Sequence, residues 1–357
     1  MLWPLVAAAV ALMVTFSYRK VQFMRFRQHA TLPQHPTSLI LGHLKVFGDY
    51  VKRNRPDAHP DMAIVAMSQA LGRPPLMFVD LRPISQPMVV VGDHDIADQL
   101  TKATPTFPTS PPKSSQSLDR IQYVMGPTSI FSAHSHGGNV RPTPHFLFAG
   151  HDATVTLLSW ALYELSRTPH ALRTVRTELD TLLGSDASPA AVRAILLERT
   201  DLLQQMDYLA AKRCVCTPPD GTARAIPPGS GFTVRMPDGQ QQCLDGLLNL
   251  IHTDPNTFGR TAGDFVPERW LLSAGPGSSV PPAEAWCAFE RGPRNCIGQE
   301  LANIEARGIL ALAARRFDFC KVGLGAVIRD ESGRPRLDAN KKGQYQVGEE
   351  LYSVRLS

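Results

Sequence analysis

Phe289-Glu290-Arg291-Gly292-Pro293-Arg294-Asn295-Cys296-Ile297-Gly298 is the stretch that decides how the rest of the chain is read. Gly292 allows the backbone to turn sharply, and Pro293 keeps a helix from running through the segment. Directly afterwards Leu301, Ile304, Gly308, Ile309 and Leu312 recur at helical spacing, which predicts a helix starting within a few residues of Cys296. A cysteine in such a glycine loop can be held as a thiolate among backbone N–H donors. The bland alternative is a buried structural cysteine in an arbitrary loop. The other cysteines, Cys214, Cys216, Cys243, Cys287 and Cys320, are sparse and irregularly spaced, unlike a disulfide framework, so all six are read as reduced thiols.

The surrounding chain has 357 residues, 43% hydrophobic and 19% charged, enough apolar material for one large core or two ordinary domains. With 37 Lys and Arg against 32 Asp and Glu, its net charge of +5 is too small to demand a polyanionic partner, and nucleic acid is not implied. Leu2 to Tyr18 carries no charge over about 17 residues, the lower end of the length a bilayer crossing needs. Arg19, Lys20, Arg25 and Arg27 follow, and the positive-inside tendency places them in the cytoplasm. A cleaved signal peptide fits less well, because no charged leader precedes the apolar run and no convincing small-residue cleavage site follows it. The expected organisation is a transmembrane anchor over 1–20, a basic and proline-containing linker over 21–36, and a folded domain over 37–357.

Within that domain, Leu76 to Asp80 and Met88 to Val91 read as two short strands, with a helix from Asp93. Thr104 to Pro144 is rich in Pro, Ser, Thr and Gly without sustained periodicity, and 130–144 is an irregular junction. Phe146 to Arg167 is long, largely apolar and free of proline, and predicts a helix. Thr168 is placed to cap the next helix, Pro169 to begin it, Leu172, Val175, Leu179 and Leu182 to form its apolar face, and Gly184 to end it. Ile226 to Gly231 is a turn, and irregular structure is expected to dominate from there to the Gly/Ser/Pro loop Ser273 to Pro282. His134-Ser135-His136 lacks further metal ligands at suitable spacing and reads as solvated loop, and Cys214-Val215-Cys216 reads as incidental.

The cysteine loop matches Phe-x-x-Gly-x-Arg-x-Cys-x-Gly at each specified position, and by it the chain resembles the cytochrome P450 family. The resemblance implies haem b with the Cys296 thiolate on iron, a ligand that donates electron density favouring O–O cleavage. It implies that Phe289 packs near the sulfur, Gly292 turns the loop, Arg294 pairs with a propionate and Gly298 lets the next helix approach the porphyrin. Phe148-Ala149-Gly150-His151-Asp152-Ala153-Thr154 is similar to the family's oxygen-activation segment. There Ala149 and Gly150 leave room for dioxygen, and Asp152 is the acid of an acid–alcohol proton relay. The alcohol departs from the pattern, because Ala153 stands in its place and Thr154 comes one residue, or about 100° of helix, later.

Arg224 lies where many family members place an Arg for the other propionate, and Pro267-Glu268-Arg269-Trp270 looks like the family's Pro-Glu-Arg element. The partner of Arg269 in that element, an upstream Glu-x-x-Arg pair, is missing: Tyr208 to Lys212 runs almost directly into Cys214 to Pro219, where the family has about two more helical turns. Glu164 to Arg167 has the spacing but sits at the end of the long helix, and is read as solvated. An Arg269 buried without a carboxylate is expected either to turn to solvent or to loosen its surroundings. Between Ile130 and Pro144 there is no length for the helices that roof the family's substrate pocket.

The resemblance thus implies a mainly α fold with a small β region, P450-like but shortened between the N-terminal strands and the long central helix. It implies a haem-thiolate monooxygenase that inserts one atom of O2 into an apolar small molecule, in wording closest to fungal secondary metabolism. Electrons would come from NADPH through a membrane-bound NADPH-cytochrome P450 reductase, and the single-pass anchor would hold the enzyme on the cytoplasmic face of the endoplasmic reticulum. Two alternatives stand beside it: a haem-binding relic with impaired catalysis, and a shortened product that does not fold.

Overall fold

In the computed structural model, residues 2–54, 61–85, 87–101, 143–210, 232–235, 241–246, 248–271, 280–289, 295–341 and 343–348 are described. The first helix, α1 (Leu2–Phe26), is the one described helix long and apolar enough to cross a membrane, and the protein buries none of its apolar window. It does not end with the uncharged run. Residues 21–26, expected as linker, continue the helix, because Val21, Phe23 and Phe26 extend its apolar pattern and no breaker precedes Pro33.

Helices α2 (Leu44–Arg53) and α3 (Asp61–Ala70) pack on a sheet that starts with β1 (Leu76–Val79) and β2 (Met88–Val91), antiparallel with Leu76 opposite Val91. Ile64, Val65 and Met67 of α3 meet Met77, Val79 and Val90 there in a small core. Helix α4 (His94–Thr101) follows, its first turn capped by the Asp93 carboxylate, which accepts from the Ile96 N–H at 3.0 Å.

Helix α5 (Thr143–Arg167) is unbroken for 25 residues, so it takes in the last two residues expected in the irregular junction, with Pro144 in its first turn. Next come α6 (Pro169–Leu183), α7 (Pro189–Glu198) and the single turn α8 (Asp207–Ala210). Gly184 ends α6 at φ 72°. Thr168 does not cap α6 with its side chain; its hydroxyl instead receives the Gln344 amide at 3.3 Å.

The stretch expected to be irregular holds more order than its sequence suggested. Strands β3 (Phe232–Arg235) and β4 (Gln241–Gly246) form a hairpin, and β4 pairs parallel with β2, giving the order β1-β2-β4-β3. Pro237-Asp238-Gly239 between them carries the Asp-Gly hairpin signal that would have found the pair. Short helices α9 (Leu248–His252) and α10 (Pro255–Phe258) lead toward the cysteine loop, and α11 (Gln299–Arg316) follows it.

The main core lies where the second half of α5 meets α6 and α11. Leu158, Leu162 and Leu165 pack with Val175, Leu179 and Leu183 and with Ala306, Leu310 and Ala314. Replacing a fully buried leucine there by alanine removes about 2–5 kcal/mol. The described residues are mainly helical with one small sheet, as the sequence implied.

Candidate functional site

Cys296 sits one turn before α11, and two acceptors fix its backbone. Its N–H points to the Phe289 carbonyl and to the Asn295 side-chain oxygen, each at 2.9 Å. The Phe289 bond closes the loop across residues 290–294; Gly292 and Arg294 lie outside the described residues, as does Arg224. Phe289 packs edge-on against Trp286, with ring centroids 5.6 Å apart.

The thiol itself is open. Cys296 is exposed, and beside it Ile297 and Leu301 are 84% and 70% exposed. The shielding expected of a metal-bound thiolate is therefore not supplied by the described protein. The stripe that marked α11 in the sequence is not its buried face: Leu301, Ile304 and Ile309 stay exposed, while Ala306, Leu310, Ala311 and Ala314 pack into the core. The small residues win because α11 lies close against α5 and α6, where alanine permits near approach.

Among the described residues, nothing packs against Gly150 on α5 or Gly298 beside Cys296 closely enough to require glycine. A Cβ on Gly150 would meet nothing within 4 Å, and one on Gly298 would touch only the Cys296 sulfur at 3.9 Å. Neither has the positive φ that favours glycine. Gly298, with open space over it beside the exposed Cys296 thiol and exposed aliphatic side chains, suits a flat apolar ligand that must come close to backbone. The donor set and its surroundings thus fit haem.

On α5 the first half faces outward. Gly150, His151 and Ala153 are exposed, whereas Thr154 is 6% exposed and turned into the protein. Because the helix runs on without a break, Ala153 and Thr154 keep their ordinary angular separation, and Thr154 does not swing into the place of Ala153. Ala149 and Asp152 belong to the same helix; their side chains lie outside the described residues. Helices α5 and α11 share the main core, so the structure brings the Gly150 helix and the Cys296 helix into one body.

Arg269 adopts neither arrangement expected of it. Its guanidinium stays partly buried and donates to the Thr261 carbonyl at 2.6 Å and hydroxyl at 3.2 Å, while its Cζ lies 5.4 Å from the Phe258 ring centre. Backbone carbonyl and ring stand where a carboxylate was expected, and among the described residues Arg269 Nε has no hydrogen-bond acceptor. Its neighbour Glu268 accepts instead from the Tyr208 hydroxyl at 2.5 Å. Glu164 and Arg167 are not solvated either: Arg167 is 5% exposed and reaches Gln344 at 3.3 Å, and its carbonyl receives the Tyr345 N–H at 2.7 Å. Gln344 and Tyr345 thus cover that helix end, a contact too distant in sequence to be read from local pattern.

Sequence reasoning also missed what holds the upstream arm of the cysteine loop. His252 at the end of α9 accepts the Cys287 N–H at 3.1 Å, with the Cys287 sulfur at 3.4 Å. Burial pushes the His252 pKa down to about 4, so the ring is neutral at pH 7. Neither residue belongs to the loop motif, and no local signal pairs them.

Fold and site together define a mainly helical protein that presents one thiol at the start of a helix packed against a long central helix. Residues 140–211 and 246–332 match the family model described as Cytochrome P450. Over these two stretches, 159 of its 357 residues, the chain is similar to the cytochrome P450 family. It is 36% identical over 210 residues to the cytochrome P450 monooxygenase polC of Polytolypa hystricis, covering 57% of this chain and 37% of that protein. It is 32% identical over 197 residues to the cytochrome P450 monooxygenase acrF of Aspergillus aculeatus, covering 49% of this chain and 39% of the relative. A bifunctional cytochrome P450/NADPH–P450 reductase of Gibberella moniliformis is 34% identical over 186 residues, which cover 49% of this chain and 15% of the fused protein. The matched part of the chain thus spans well under half the length of these relatives.

Proposed function

We propose that this chain is a haem-thiolate protein of the monooxygenase class with Cys296 as the iron ligand. One observation carries the reading: the Cys296 N–H tied to the Phe289 carbonyl closes a cysteine loop whose sulfur stands open beside two exposed aliphatic side chains and Gly298. Phe289, Gly292 and Gly298 shape that loop, Arg294 and Arg224 are the cations for the propionates, and Ala149 and Gly150 leave space on α5. When bound, haem supplies the chemistry by which one oxygen atom of O2 enters an apolar small molecule. Asp152 is the residue that takes up and passes a proton, with Thr154 the nearest hydroxyl in sequence.

The electrons come from NADPH through a separate reductase, in keeping with a relative whose name joins the two activities in one chain. α1 anchors the protein to the endoplasmic reticulum membrane with the haem domain in the cytoplasm. The apolar substrate belongs to secondary metabolism, and the fungal sources of the first two relatives support that assignment.

A second reading, a haem binder with impaired turnover, is favoured by Thr154 being buried while Ala153 is exposed. The full chain, supplied with haem, reduced and exposed to carbon monoxide, is expected to give a Soret band at about 450 nm. A band at about 420 nm would mean that the thiolate is not the ligand, and no haem uptake would mean that the shortened chain does not close its pocket. Turnover with a reductase then distinguishes enzyme from inert binder: under the second reading NADPH is consumed with peroxide release and little product.

A further inference from the structure

We infer that His252 is a positioning residue for the Cys296 thiolate: by accepting the Cys287 N–H it fixes the upstream arm of the cysteine loop and, through Phe289, the place of the sulfur. The inference rests on Cys296 as the iron ligand and adds a side chain, outside the loop motif, that aims it.

His252 ends α9, an element that the sheet side of the molecule holds still. Leu250 belongs to the small core of Met77, Val79 and Val90. One turn on, the Thr253 hydroxyl donates to the Asn249 carbonyl at 2.6 Å, and Arg73 donates to the Thr253 carbonyl at 2.9 Å. From this base the His252 Nε2 accepts the Cys287 N–H at 3.1 Å, which places the ring proton on Nδ1. A neutral imidazole satisfies the buried N–H without bringing a charge into the interior. Cys287 itself packs with Ile251 and with Ala97 of α4, so the segment is held by side-chain packing as well as by the hydrogen bond.

The pinned N–H lies close to the thiol along the chain. Phe289 follows two residues later, and two residues span at most about 7 Å. Its ring packs edge-on against Trp286, and its carbonyl is the acceptor for the Cys296 N–H at 2.9 Å. The other acceptor of that N–H, the Asn295 side chain, belongs to the loop and moves with it. Helix α11 fixes the downstream side of Cys296; the upstream side is fixed in series, from α9 to Cys287, from Cys287 to Phe289 and from Phe289 to Cys296. A ligand group has to be held to within about 0.5 Å of its working place, so slack at the first of these contacts is felt at the last.

The test has two readouts on the full chain. In the haem-free protein, hydrogen exchange resolved to single amides is expected to quicken about ten-fold or more at both Cys287 and Cys296 in His252→Leu. Quickening at Cys287 alone overturns the transmission to the thiol. In the haem-loaded protein, reduced under carbon monoxide, His252→Leu is expected to lose about half or more of the band at about 450 nm in favour of one at about 420 nm. His252→Gln, whose amide oxygen falls where Nε2 stood, is expected to restore both readouts, and Cys287→Ala, which keeps its backbone N–H, to hold the band. A Gln variant as impaired as Leu shows that the volume of the ring matters and not its acceptor, and overturns the inference. So does a Leu variant with the unaltered band. Should His252→Leu lose its native circular dichroism, His252→Asn, whose oxygen stops short of the Nε2 position, takes its place with the same expectations. A parent chain that takes up haem without the band at about 450 nm overturns the thiolate reading itself, and the inference with it.

Discussion

Cys296 and Cys287 flank one loop, yet the fold uses them oppositely. Cys296 is exposed and Cys287 is buried against Ile251, with its backbone pinned to His252. Cys296→Ala is expected to abolish the carbon monoxide spectrum of the thiolate while changing unfolding free energy by less than about 0.5 kcal/mol. Cys287→Ala is expected to lower stability by about 1–2 kcal/mol and keep the spectrum. Difference spectra and urea unfolding of both variants check the pair, and a retained thiolate spectrum in Cys296→Ala would refute the assignment. Asp80 gives a third residue-scale prediction. Burial alone would raise its pKa, but hydrogen bonds from Arg82 and Arg25 outweigh that and hold it at about 2, below the usual 3.8. A depressed carboxylate stabilises the fold above pH about 4, and that stability is lost as pH falls from about 4 toward about 2. Asp80→Asn is expected to remove about 2–4 kcal/mol at pH 7 and to flatten the acid limb of the urea midpoint. The Cys296 loop could be singled out as a candidate site because its residues stand together in sequence. The pairings of Asp80 and Cys287 could not, since their partners Arg25 and His252 are brought to them by tertiary packing.

Among elements, α9 and the cysteine loop are coupled through the neutral His252 ring. Burial lowers its pKa from 6.5 to about 4, so the unfolded chain binds the proton more readily than the folded one. The sign follows: stability is full above pH 6.5 and is lost progressively as pH falls toward 4, by up to about 3 kcal/mol. His43, also lowered by burial, contributes in the same direction. His252→Gln is therefore expected to flatten the pH dependence between 6.5 and 4 without removing it, as followed by urea unfolding at successive pH values; an unchanged slope would exclude His252 as the sensor. Helix periodicity found α5, α6 and α11, because apolar spacing reports helix formation directly. It did not tell which face of α11 is buried, since spacing cannot distinguish Leu301 facing open space from Ala306 facing a close neighbour. The hairpin of β3 and β4 escaped because four to six residues, only weakly apolar, carry little periodic signal.

Over the whole molecule, the buried core and the candidate site occupy different parts of the same helices. The second half of α5 is packed, while its first half around Gly150 is exposed; α11 buries alanines and leaves Leu301 open near Cys296. Such a chain gains measurable stability from a flat apolar ligand over the open faces once that ligand is also bonded to the sulfur, since the plane alone is held too weakly. At a free haem concentration one hundred times the dissociation constant, mass action adds about 2.7 kcal/mol, a rise in Tm of a few degrees for a domain of this size. Haem is therefore expected to raise the Tm of the full chain but to leave Cys296→Ala within about one degree of its haem-free value. Protoporphyrin IX without iron is expected to raise neither, because it offers the apolar plane without the metal bond. Equal shifts with protoporphyrin, or in Cys296→Ala, would show that covering the apolar faces suffices, and the iron–sulfur bond would lose its place at the centre of the proposed function.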